Sequence, residues 1–255
     1  MEISICLGFF ILGTFLGSFF NVVASRLPNG ESIVYPRSHC PYCNHYLEPW
    51  ELIPIFSYLL QKGRCTKCKT KISIFYPISE ILAGLLFLIC YLVFGLSYDL
   101  IIALTLVSMI IIVTLSDYYY MIINDSVLII TTILLLIEIY YINGSDILLS
   151  SLISGLISFI IMLLLKLFGD FLFKKESMGG GDIKLMFIFG LIIGWKMSIL
   201  SIFMAAFIAL PYSLFILKKH KEHILPFGPF LCAAVLIIYF LQINFDMVIN
   251  LLTLY

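Results

Sequence analysis

The chain has 255 residues, of which 62% are hydrophobic and 12% charged, with a formal net charge of zero and a mean hydropathy of +1.11. The charged share is about half that of a soluble domain, which excludes a soluble globular enzyme, and the apolar runs exclude a disordered chain. A multi-spanning, all-α membrane protein remains. Its surroundings are membrane lipid, and a balanced charge gives no reason to expect a nucleic-acid partner.

A transmembrane helix needs about 20 mostly apolar residues. Eight candidate spans follow in chain order, near 3–24, 76–97, 99–117, 126–142, 147–169, 183–195, 197–217 and 224–241. The sixth is short, and the tail 244–255 either extends the last span or lies at the surface. Residues 1–24 lack the basic start of a signal peptide and are followed by Arg26, so they read as a span. The expected organisation is a first helix over 1–24, a polar loop over 25–75 and a helical core over 76–255. No internal repeat or low-complexity linker is evident.

Eight spans put the connecting segments on alternating sides. One side receives 25–75, 118–125, 170–182 and 218–223, which hold Arg26, Arg37, Lys62, Arg64, Lys67, Lys69, Lys71, Lys174, Lys175, Lys218, Lys219 and Lys221; the other receives only Lys196. The positive-inside rule places the basic side in the cytoplasm and both termini outside. Lys218, Lys219 and Lys221 read as an anchor on anionic lipid.

The long loop carries Cys40-Pro41-Tyr42-Cys43 and Cys65-Thr66-Lys67-Cys68. Two Cys-x-x-Cys pairs can present four thiolates tetrahedrally to zinc, and a reducing cytoplasm disfavours disulfides. A redox dithiol and an unmetallated loop are the rivals, and no βαβ pattern surrounds either pair to favour the dithiol. Lysines beside Cys65 and Cys68 favour the thiolate. A closed shell of four cysteines makes the metal a staple, with no position for a catalytic water. His39 and His45 are then superfluous as ligands. Cys6, Cys90 and Cys232 lie in apolar runs and read as small core residues.

Ionisable residues at membrane depth read as functional. Asp117 ends the third span, Asp125 precedes the fourth, and Asp182 follows Gly179-Gly180-Gly181 with Lys184 two residues on. Three glycines let the backbone turn sharply or approach a neighbour closely. A helix start also favours a carboxylate, so capping is an alternative role for Asp182. A phosphate-binding loop is disfavoured, because the Lys-Ser/Thr is missing and the aspartate repels phosphate. Two aspartates brought together can share a proton, one activating water and the other donating to a peptide carbonyl. Ion pairing is the competing role.

The chain resembles the prepilin leader peptidases, membrane aspartic proteases that process type IV pilins and pseudopilins. The resemblance covers nearly the whole chain. It rests on Gly17-Ser18-Phe19-Phe20-Asn21, Arg26-Leu27-Pro28, Pro36-Arg37-Ser38-His39-Cys40-Pro41, Ile53-Pro54-Ile55-Phe56-Ser57-Tyr58, Tyr76-Pro77-Ile78-Ser79-Glu80, Gly179-Gly180-Gly181-Asp182 and Pro226-Phe227-Gly228-Pro229. It implies that Asp117 and Asp182 are catalytic and that Asp125 is a further acidic position. Asn124 stands where many relatives have proline, and Glu51-Leu52 where many have aspartate-asparagine. The resemblance further implies cleavage of a basic leader, then methylation of the new N-terminus by S-adenosylmethionine, whose site no nucleotide fingerprint reveals. The four-cysteine loop is characteristic of members that combine both steps. A peptidase without methyl transfer, a non-enzymatic zinc-stapled assembly protein and a proton-relaying transporter are the alternatives.

Among other features, the Tyr118-Tyr119-Tyr120 run reads as an interfacial belt. Gly17 and Ser18 suit close helix packing. A polar contact of Asn21 with Arg26 at the active mouth is a minor reading, and Glu80 reads as contacting a substrate, the zinc loop or a cofactor, or equally as solvated at the interface. Glu138, towards the outer end of its span, reads as snorkelling or helix-paired.

Overall fold

The computed structural model describes residues 2–176, 178–219 and 226–253. Among them the regular elements are helices: α1 (Glu2–Arg26), α2 (Phe56–Leu60), α3 (Phe75–Phe94), α4 (Asp99–Tyr120), α5 (Asp125–Phe173), α6 (Gly180–Lys219), α7 (Gly228–Phe240) and α8 (Phe245–Thr253). Five are long and apolar enough to cross a membrane, and α7 is a shorter apolar helix. This is the expected all-α polytopic class.

The two longest helices are broken where the apolar pattern breaks. α5 contains Gly144 at φ 84°, and α6 contains Gly194 at φ 75°. Both values lie in the left-handed region that glycine enters without steric cost. At 1.5 Å per residue the 49 residues of α5 would run about 74 Å as a straight rod, more than twice the roughly 30 Å hydrocarbon layer. The break falls between the expected fourth and fifth spans, and Gly194 falls at the end of the expected sixth. The eight expected spans therefore appear as five long helices, two of them kinked, plus α7. Lys221 and the start of the expected last span lie outside the described residues. The tail forms its own short helix, α8, after a break at Leu241–Asn244.

The chain divides into two compact units, Met1–Tyr119 and Tyr120–Tyr255. In the first, α1 packs along α3. A Cβ on Gly17 would stand 2.6 Å from Ala83 Cβ, so glycine is what lets the two backbones approach. Here the small-residue expectation is met, and Ser18 serves differently: it hydrogen-bonds the Glu80 carboxylate. In the second unit α6 packs against both α5 and α7. Ser158 and Ser198 Oγ meet at 2.6 Å between α5 and α6, fully buried.

Candidate metal centre and active site

The four-cysteine loop is built from two copies of one turn. Cys40 N–H donates to His45 O and Asn44 N–H donates to Cys40 O, each at 2.9 Å. Twenty-five residues on, Cys65 N–H donates to Thr70 O at 2.9 Å and Lys69 N–H to Cys65 O at 3.1 Å. Asn44 and Lys69 both take a left-handed conformation, at φ 54° and 61°. Single antiparallel bridges, His39 with Tyr46 and Arg64 with Lys71, close the two turns. A short repeat is thus present where the sequence shows none, because only the cysteines and the backbone geometry repeat.

The turns point their sulfurs at one centre. All four Sγ atoms lie within 4.8 Å of one another, with Cys40–Cys68 at 3.7 Å and Cys43–Cys65 at 3.9 Å. Ligands at 2.3 Å on a tetrahedral zinc stand about 3.8 Å apart, so the donor set fits the ion. Disulfide bonding needs about 2.05 Å, well below the 3.7 and 3.9 Å of the Cys40–Cys68 and Cys43–Cys65 pairs. The thiols differ in acidity. The Thr70 hydroxyl and backbone amide lower Cys68 to about 6, whereas Cys43 is raised to about 11. At Cys68 the Thr70 hydroxyl and amide are the largest contributors to that lowering, with Cys43 and Cys65 adding to it.

Glu51, to which the sequence attaches no role, is the buried hub of the loop. Its Oε2 accepts from Glu48 N–H at 2.9 Å and pairs with His45 Nε2 at 3.1 Å; its Oε1 accepts from Thr66 at 2.6 Å. His45 belongs to the first turn and Thr66 to the second, so one carboxylate ties the two halves together. Burial pushes this carboxyl up, but the bonds from Thr66, Glu48 and His45 outweigh it and hold it below its ordinary value.

A second polar cluster fastens the loop to the helices. Glu80, 8% exposed, accepts from Ile55 N–H at 2.8 Å. Ile55 sits at φ 63°, a strained setting for a β-branched residue that its surroundings must enforce. Beside it, Asn21 and Ser79 exchange hydrogen bonds at 2.8 and 3.0 Å. The contact of Asn21 with Arg26 is not formed; Arg26 donates to Ser32 O at 3.0 Å. Arg26 ends α1 and points to the loop, whereas Asn21, five residues back, faces α3. Of the roles open to Glu80, the contact to the four-cysteine loop is formed, through Ile55.

Asp117 lies in the last turn of α4 and is 6% exposed. Tyr118 and Tyr119 follow it on the surface and, with Phe75 at the start of α3, form an aromatic cluster with centroids 5.3–6.2 Å apart. That suits the expected interfacial belt.

In the second unit Asp182 is the third residue of α6 and is also 6% exposed. It sits inside the first turn rather than at the cap, where the helix dipole favours an anion. None of Gly179, Gly180 and Gly181 has positive φ, and a steric need for glycine falls on Gly181, since a Cβ on Gly180 meets nothing within 4 Å. A Cβ on Gly181 would stand 2.6 Å from Ile123 Cβ, so Gly181 presses the start of α6 onto the chain entering α5. That entry is capped by Asn124, whose side chain accepts from Ser126 N–H at 2.9 Å. Asn124 is extended, at φ −78° and ψ 123°, which a proline also adopts, so the substitution preserves the turn. Lys184 Nζ grips both oxygens of Asp125 at 2.6 and 2.7 Å. This pair is exposed, with about half of each side chain accessible.

Residues 11–94 match the family model described as the bacterial peptidase A24 N-terminal domain, and residues 104–214 match that of the type IV leader peptidase family. Among curated proteins, the chain is 36% identical over 187 residues to a prepilin leader peptidase/N-methyltransferase of Myxococcus xanthus, covering 73% of this chain and 56% of that one. With the Bacillus subtilis protein of the same name it shares 34% over 233 residues, 90% and 92% of the two chains. With that of Neisseria gonorrhoeae it shares 31% over 258 residues, 90% and 88%. No solved structure matches.

Proposed function

The chain belongs to the type IV leader peptidase family, and from that we propose a membrane aspartic endopeptidase that removes the basic leader from type IV prepilins or pseudopilins and methylates the new N-terminal residue. The observation that carries this reading is the burial of two carboxylates at span ends. Asp117 and Asp182 are each only 6% exposed, a costly setting for acids that points to function.

Asp117 and Asp182 form the catalytic pair. Two carboxyls that approach each other cannot both ionise, so the pair holds one proton. The ionised member takes a proton from water as it attacks the scissile carbonyl. The protonated member donates to the carbonyl oxygen. The two titrate as one unit, so the roles belong to the pair. In the Gly179-Gly180-Gly181 run, Gly181 packs the start of α6 onto Ile123 and so positions Asp182, and the Asp125–Lys184 ion pair fixes the same helix start from outside.

The bias of basic residues supports a zinc loop and active site on the cytoplasmic side of the bacterial inner membrane. There a prepilin lays its apolar helix among the spans and presents the bond behind its leader at the membrane edge. Cys40, Cys43, Cys65 and Cys68 would hold zinc, which supplies a closed structural clamp. S-adenosylmethionine supplies the methyl group. Asn21 and Ser79 bond each other, and Glu80 bonds Ser18 and Ile55, so these buried side chains are already engaged with protein partners.

The test is prepilin cleavage by purified Asp117→Asn and Asp182→Asn variants. Each is expected to lose at least about 10²-fold in rate while zinc content and membrane level stay as in the parent. Full cleavage by both variants would refute the pair. Mass spectrometry of mature pilin from cells with and without the protein reads the methyl group directly.

A further inference from the structure

The second half of the zinc loop has a charge and surface pattern that the metal site does not explain. Residues 53–74 contain Lys62, Arg64, Lys67, Lys69 and Lys71 and no acid, whereas 27–52 contain Glu31, Glu48 and Glu51 against Arg37. Within the basic half lies α2. Its Phe56, Leu59 and Leu60 are 67%, 64% and 72% exposed. They are spaced i, i+3, i+4 and so share one face. Tyr58, between them, turns the other way onto Gly63, where a Cβ would stand 2.8 Å from the phenol oxygen. The apolar face is therefore directed outward by the packing of the opposite one.

The position of α2 is set by a bond within the same compact unit. Ile55, the residue before it, is hydrogen-bonded to Glu80, five residues into the membrane helix α3. At 1.5 Å per residue that lies about 8 Å below the start of α3. The bond therefore ties α2 beside the first turns of a helix long and apolar enough to cross a membrane. All five basic residues that follow it are exposed.

We infer that α2 is an interfacial anchor: Phe56, Leu59 and Leu60 insert into the leaflet at which the loop emerges, and the lysine-rich turn after them binds anionic phospholipid headgroups. An apolar face with cations beside it, held by the first turns of such a helix, is what anionic bilayer surfaces recognise. The long basic stems reach headgroups while their ammonium ends stay hydrated. The zinc turns would then be held at a fixed height above the lipid by metal, by Glu80 and by α2 together.

The test uses the full-length, zinc-loaded chain in vesicles of phosphatidylcholine and phosphatidylglycerol carrying acyl-chain bromines. Trp50→Phe and Trp195→Phe remove the native indoles, and Leu59→Trp, or separately Phe56→Trp, supplies a reporter. Zinc content equal to the parent's certifies each variant. Bromolipid is expected to quench the reporter at least two-fold, with aqueous acrylamide having little effect. Quenching is expected to fall at least two-fold when phosphatidylglycerol is omitted, or when Lys67→Glu and Lys71→Glu are added. Reporters at both positions that acrylamide quenches and bromolipid does not would overturn the anchor. Equal quenching with and without phosphatidylglycerol would overturn the recognition of anionic lipid. No other protein is present, so a site meant for a protein partner gives the first of these negative results.

Discussion

The two ends at which functional residues gather are held by opposite means. The four-cysteine loop is fixed by directional bonds: four sulfurs turned to one centre, a carboxylate joining two turns, and a second carboxylate joining the loop to α3. The Asp182 end is fixed by contact, with Gly181 against Ile123 and one exposed ion pair. Directional bonds let a segment with little apolar interior keep one shape. Close packing needs no polar partner, but it tolerates no added atom. The two regions should accordingly fail in different ways.

Removing the metal tests the first most severely. Structural zinc contributes about 10–16 kcal/mol of apparent binding energy in small zinc domains. Cys65→Ser, or a strong chelator, is expected to abolish zinc binding and open 27–74 to protease, with the second unit still resistant. A loop equally resistant with and without zinc would show that Glu51 and Glu80 suffice. The second region is tested by Gly181→Val, whose added carbons meet Ile123 and cost about 1–3 kcal/mol. Prepilin cleavage should fall while zinc content is unchanged, and Ile123→Ala in the same chain should restore part of it. Cleavage at the parental rate would mean that the start of α6 shifts freely.

Glu51→Ala sharpens the comparison from the other side. It strips acceptors from His45, Thr66 and the Glu48 amide, and each unmet buried group costs about 1–3 kcal/mol. The expected outcome is faster loss of zinc to a chromogenic chelator, with Glu51→Gln intermediate because it still accepts from Thr66. Unaltered release from the alanine variant would remove Glu51 from the centre. The smallest effect belongs to Lys184→Met. An exposed pair contributes about 0–1 kcal/mol, so thermal stability should scarcely move; a loss beyond about 2 kcal/mol would assign Asp125 a buried role that its exposure contradicts.

The parts legible in the sequence are those encoded by local spacing. Two Cys-x-x-Cys pairs announce a tetrahedral donor set, apolar runs announce spans, and gaps near 143–146 and 196 match Gly144 and Gly194. Whether such a gap is a loop or a kink depends on the φ of a single glycine, which the pattern does not carry. Glu51 was invisible because its partners, His45 and Thr66, sit on opposite turns and meet only once those turns close. Glu80 with Ile55, and Asn21 with Ser79, join residues 25 and 58 positions apart. A motif names such residues but not the atoms they bond. Asn124 shows the converse, since a departure from the familiar residue leaves the backbone where it was.

The matching of sulfurs across the two turns has a consequence for biogenesis. Cys40 waits on Cys68 and Cys43 on Cys65, so neither half is a competent ligand set by itself. At about 5–20 residues per second, the 25 residues between equivalent positions take roughly 1–5 s to synthesise. Through that interval the first pair of thiols emerges without its complement, open to oxidation or to scavenging by another ion. Correct metallation is therefore a race between translation and cellular thiol chemistry, and slow codons between the two turns would lengthen the odds against it.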